Sequence, residues 1–88
     1  MDVQFQAIHF DADQKLIDFI NERLSKLNLF YDQIIGSEVF LRLDKSDRNL
    51  NKTVEIKLNI PGKELFAKKQ CRTFEEATDE VVDALRRQ

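Results

Sequence analysis

Apolar and polar positions change period along this chain, and each change marks an element. Val3, Phe5 and Ala7 alternate with Gln4 and Gln6, the two-residue period of a strand with one buried face. From Leu16 the period lengthens. At about 100° per residue, Leu16, Phe19, Ile20, Leu24, Leu27, Phe30 and Tyr31 share one stripe, with Asp18, Asn21, Glu22 and Ser25 opposite. This predicts a helix, and the acidic pair Asp11 and Asp13 before it supplies a carboxylate able to accept an unpaired N–H of the first turn. Gly36 ends the connection that follows, a position where chain reversal is cheap.

Two-residue alternation then returns three times. Val39, Leu41 and Leu43 form one inner row, and Val54, Ile56, Leu58 and Ile60 alternate with Glu55, Lys57 and Asn59. Leu65, Ala67 and Cys71 face one way and Phe66, Lys68 and Gln70 the other. Between the first two of these strands, Asp44 to Lys52 is polar except for Leu50 and reads as a mobile hairpin loop; Pro61-Gly62 marks the next turn. Thr73-Phe74-Glu75-Glu76 has the capping-box form, and the helix it opens carries Phe74, Ala77, Val81, Val82 and Leu85 inward. Its acids come early and Arg86 and Arg87 at its end, as the helix dipole favours.

The predicted order is β-α-β-β-β-α. A four-stranded sheet with one apolar face and two helices to cover that face is a two-layer α+β sandwich, a single domain over residues 1–88. Its other face would present Gln4, Phe40, Arg42, Lys57, Phe66 and Lys68 to solvent or a partner.

Composition narrows the function. A chain of 88 residues buries only about 60 to 65% of its unfolded surface, which leaves little volume for a roomy catalytic cavity. No apolar run approaches a membrane span and no secretory signal pattern opens the chain, so the expected location is the cytoplasm. His9 is the only histidine and Cys71 the only cysteine. Neither belongs to a recognisable ligand spacing or nucleophile–base pair, so the expectation is no metal, no cofactor and no catalysis; Cys71 reads as a small buried strand-end residue.

Several longer patterns occur together. Asp13-x-x-Leu16-x-x-Phe19-Ile20-x-x-Arg23-Leu24-x-Lys26-Leu27 is followed by Phe30-Tyr31-Asp32-x-Ile34, then Val39-x-Leu41-Arg42-Leu43-x-Lys45. The chain closes with Phe74-x-x-Ala77-x-Asp79-x-Val81-Val82-Asp83-x-Leu85-x-Arg87-Gln88. In this order, over residues 3 to 87, the sequence resembles the ribosome hibernation-promoting factor and ribosome-associated inhibitor family, also called sigma-54 modulation proteins. The resemblance implies a fold akin to double-stranded RNA-binding domains. It also implies a noncatalytic protein that lodges on the small ribosomal subunit where messenger and transfer RNA pass, competes with them, and represses translation under stress or in stationary phase. Ribosomal RNA, with ribosomal proteins beside it, would be the partner; weak homodimerisation is a further expectation.

Matching to the family's pattern singles out Arg23, Lys26, Arg42, Lys45 and Arg87 as RNA-facing, their cationic groups pairing with phosphate oxygens without reading bases. The net charge of −2 runs against this, since phosphate binding needs clustered cations. Distribution matters more than the sum. Lys57 to Arg72 holds five basic residues and one acid, Glu75 to Asp83 holds five acids, and Lys15, Arg23 and Lys26 line one flank of the first helix with its acids farther round. Departures from the family's pattern at Thr73 and Ala84, often aspartate and lysine there, and the absence of a basic tail after Gln88, imply fewer phosphate contacts. A different class of reading is a protein-interaction or self-associating module using Phe40 and Phe66 and no RNA, since exposed aromatic patches usually mark partners.

Overall fold

The structure, a computed structural model, describes residues 1–45 and 49–88. Strand β1 (Asp2–Ile8) leads to helix α1 (Gln14–Ser25) and a 3-10 turn (Lys26–Leu29). Strands β2 (Gly36–Leu43), β3 (Lys52–Ile60) and β4 (Lys63–Cys71) follow, then helix α2 (Phe74–Arg86). The sheet order is β1-β2-β3-β4, with β1 and β2 parallel and the other pairs antiparallel. This is the α+β arrangement the alternation predicts.

The core lies between the sheet and the helices. Leu16, Ile20, Leu24 and Leu27 meet Val39, Leu41, Val54, Ile56, Leu58 and Leu65, and α2 adds Ala77, Val81 and Leu85. Each large aliphatic side chain removed from water contributes roughly 1.5–3 kcal/mol, which is how a domain this small holds its helices down. Cover thins toward the edge: on β1, Val3 and Phe5 are only half-buried and Ala7 is exposed.

Both helix starts follow from local chemistry. The Asp13 carboxylate accepts from the Leu16 N–H at 2.9 Å, and the Thr73 hydroxyl accepts from the Glu76 N–H at 3.0 Å. The reciprocal half of the capping box is shifted by one residue, because the Glu76 carboxylate takes the Arg72 N–H at 3.3 Å. Near these starts Phe10 and Phe74 stack, ring centroids 4.8 Å apart.

Two expectations change. The first helix does not run to Tyr31 on one stripe: α1 stops at Ser25 and the chain tightens into the 3-10 turn. Three residues per turn replace 3.6, which rotates later positions off the apolar face. Leu27 stays buried, but Phe30 is 53% exposed. Chain reversal is not made at Gly36, which already belongs to β2; the left-handed residue of this connection is Gln33, at φ 58°. Gly36 serves close approach instead, since a Cβ there would sit 3.1 Å from the Asp2 carbonyl oxygen on β1. The predicted mobile loop falls in part on residues 46–48, outside the described residues. Its flanks are tied, with the Asp44 N–H donating to the Asn51 carbonyl at 2.7 Å.

Candidate nucleic-acid interface

The connections bring the C-terminal ends of α1 and α2 to one end of the molecule. β1, β2 and β4 point the same way, and each helix returns against them. The Tyr31 hydroxyl, just past the 3-10 turn, donates to the carbonyls of Leu85 (2.5 Å) and Gln88 (3.0 Å), closing the last turn of α2. Helix C-terminal ends carry partial negative charge and attract cations. Arg23, Lys26, Arg86 and Arg87 gather here accordingly.

Their acids gather with them. Arg23 Nε donates to Asp79 Oδ1 across the two helices at 2.7 Å, its NH1 group pairs with Glu22, and its guanidinium carbon lies 4.2 Å from the Phe19 ring centre. The hydrogen bond to Asp79 above all holds the Arg23 pKa above its already high ordinary value, so this charge is permanent. Lys26 Nζ is 3.6 Å from Glu22, and one carboxylate, Asp83, takes both Arg86 (2.9 Å) and Arg87 (2.8 Å). The sequence expectation set the acids of α1 far from this flank. Glu22 is instead at its centre, because Arg23 folds back toward it and Lys26 stands one turn along.

Arg42 and Lys45 occupy a different place. Arg42 lies on the sheet face away from the helices, in register with Ile8 and Thr53, and toward the opposite end of β2. The six steps from Gly36 amount to about 20 Å along the strand. Arg42 is also paired: Nε to Asp44 at 3.0 Å and its second amino group to Glu55 at 2.9 Å. Glu55 shares Lys68 at 3.5 Å, and Asp44 accepts the Thr53 hydroxyl at 2.6 Å. Lys45 is exposed just beyond β2. The five sequence-predicted residues therefore form two groups, Arg23, Lys26 and Arg87 at the helix ends and Arg42 and Lys45 across the sheet.

Pairing does not consume the cations at the helix ends, whose ion pairs are open to solvent, whereas Arg42 sits half-buried between Asp44 and Glu55. Solvent-exposed ion pairs contribute about 0–1 kcal/mol each and exchange readily. A guanidinium offers five N–H donors and an ammonium three, more than these contacts use. Such groups can take phosphate oxygens while their carboxylates turn to solvent.

On the outer sheet face, Phe40 aligns with Gln6, Glu55 and Lys68, while Phe66 aligns with Lys57 and Glu38. The two rings stand two strands apart, in different rows. Charged β3 residues lie between them, and Phe40 is half-buried, so they do not make one apolar patch.

Sequence spacing gave no sign that Cys71 would meet acids of α2. The thiol is 5% exposed and donates to Glu80 Oε2 at 2.9 Å, and donor atoms of Cys71, Glu76 and Glu80 lie within 4.8 Å of one another. Burial first, then Glu80, pushes the thiol pKa up to about 12, which disfavours the thiolate needed for nucleophilic attack or metal ligation. No helix among the described residues is long and apolar enough to cross a membrane.

The chain shares its fold with two solved structures. The N-terminal domain of protein Y from Thermus thermophilus superposes with a TM-score of 0.84 at 19% identity, covering 99% of this chain and 93% of that one. A ribosomal subunit interface protein from Coxiella burnetii superposes with a TM-score of 0.87 at 17% identity, covering 99% and 91%. Residues 3–88 match the family described as sigma 54 modulation protein / S30EA ribosomal protein, and the chain belongs to that family. Among relatives, the ribosome hibernation promoting factor of Pseudomonas putida is 31% identical over 88 residues, 100% of this chain and 82% of that protein. The ribosome hibernation promotion factor of Deinococcus radiodurans is 28% identical over 86 residues, 97% of this chain but 45% of that longer protein. Both relatives are thus named as ribosome hibernation factors.

Proposed function

We propose that this chain is a stoichiometric, noncatalytic translation repressor of the cytoplasm. It binds the small ribosomal subunit in the channel used by messenger and transfer RNA, and it acts under stress or in stationary phase. Family membership over residues 3–88 carries this reading. The gathering of Arg23, Lys26 and Arg87 at the shared helix end, with Arg42 and Lys45 across the sheet, gives it a physical basis. Two groups on opposite faces suit a cleft with RNA on both sides better than one flat duplex. Phosphate contacts made this way fix position without reading sequence, and occupancy of the channel is the mechanism.

Gradient sedimentation with separated ribosomal subunits tests it. The protein should travel with the small subunit at low salt, leave it as salt rises, and be displaced by transfer RNA. Cosedimentation with the large subunit alone, or indifference to transfer RNA, would contradict the assignment.

A further inference from the structure

The helix end holds an apolar feature that the phosphate reading does not use. Leu29 is 82% exposed and Phe30 53% exposed at the exit of the 3-10 turn. They border an open groove of about 330 Å³ whose apolar wall continues to Val82, with Lys26 and Arg86 on its rim beside the acids Asp79 and Asp83. The Arg86 guanidinium carbon lies 5.5 Å from the centre of the Phe30 ring. This aromatic therefore keeps about half of its surface in solvent with a cation against its ring.

We propose that Phe30 is a stacking platform for one unpaired nucleotide of the bound RNA, with Lys26 and Arg86 taking the phosphates that flank it. The inference rests on the ribosome-binding reading and adds the class of RNA element: a looped-out or single-stranded base, not duplex backbone alone. Recognition of unpaired RNA combines an aromatic face for the base with cations for the adjoining backbone. Both are present here within one groove. Arg86 gives one amino group to Asp83, which leaves its other N–H donors, and Lys26 stands 3.6 Å from Glu22, a contact loose enough to exchange. A nucleotide brings a flat base and a negative phosphate together, the combination this rim and wall complement.

The experiment measures the affinity of purified small subunits for wild-type protein and for Phe30→Trp, Phe30→Leu and Phe30→Ala, with thermal unfolding of each as a fold control. In parallel, a photoreactive benzoylphenylalanine at position 30 is crosslinked to the same subunits and the adduct identified by mass. Stacking predicts that tryptophan binds at least as well as phenylalanine. Leucine and alanine should both lose about tenfold, the scale of one base on an aromatic ring, and the adduct should be a nucleotide. Leucine matching phenylalanine, or an adduct on a ribosomal protein, overturns the inference in favour of apolar protein contact. Alanine binding unchanged while Lys26→Ala binds weakly overturns it and leaves the parent reading standing; wild-type protein that fails to bind subunits removes both.

Discussion

Arg23 on α1 and Asp79 on α2 are joined by a 2.7 Å hydrogen bond, so a cation assigned to RNA is held by an acid 56 residues away in the chain. The contact fixes where the guanidinium points and lowers the field it presents. Because the pair is open to solvent, its contribution to stability is small.

Removing that acid's charge should therefore help binding. Asp79→Asn is expected to tighten ribosomal subunit binding by about two- to fivefold, the range set by an exposed ion pair of up to about 1 kcal/mol, with an unfolding midpoint nearly unchanged. Titration of subunits with the two proteins at one salt concentration checks this; weaker binding by the variant would assign Asp79 a positioning role.

Tyr31 makes the opposite case, a polar group whose work is structural. Tyr31→Phe deletes the hydroxyl that closes the end of α2 on Leu85 and Gln88. A loss of about 1 kcal/mol follows, or roughly 4–8 °C in melting temperature for a domain of this size. Calorimetry checks it, and a change under 1 °C would remove Tyr31 from the account.

At the core, Leu27→Ala should cost about 2–5 kcal/mol, because Leu27 is fully buried where the 3-10 turn meets α2 and the sheet. Leu29→Ala, two residues along and exposed, should stay within about 0.5 kcal/mol. Urea denaturation of both variants tests whether the helix end is placed correctly.

Cys71 gives a pH prediction. Its thiol is raised from 9.0 to about 12 by burial and by Glu80, so the folded state favours the protonated form. A raised pKa contributes stability that is fully present below the unfolded value and is lost as pH climbs toward the folded one. Stability should not vary through this group below about pH 9, and should decline between there and about pH 12. At pH 8 the native thiol should be alkylated far more slowly than in denatured protein, which iodoacetamide labelling followed by mass measurement reads directly. Equal rates would show that the thiol is not held in this way.

The fold was legible because its strands alternate cleanly and its core positions on α1, Leu16, Ile20 and Leu24, repeat at helical spacing. The helix end was not. Nothing local to Lys26–Leu29 announces a 3-10 turn; the turn lets Tyr31 reach α2, which is a tertiary requirement. The candidate site was legible as residue types, and the Glu22–Lys26 spacing was visible too, but Asp79 and Glu55 face their arginines through folding and no local pattern reveals them. Phe30 was assigned to the apolar stripe for the same reason, and its exposure is what the stacking inference uses.

The salt dependence of small-subunit binding tests the central claim most directly. If Lys26 and Arg87 contact phosphates, the logarithm of the binding constant should fall linearly with that of salt concentration, with a slope of about −0.7 to −0.9 for each phosphate neutralised. Lys26→Ala and Arg87→Ala should each flatten that slope by about one contact without lowering the melting temperature. Binding that ignores salt, or a slope that neither substitution alters, would contradict the account.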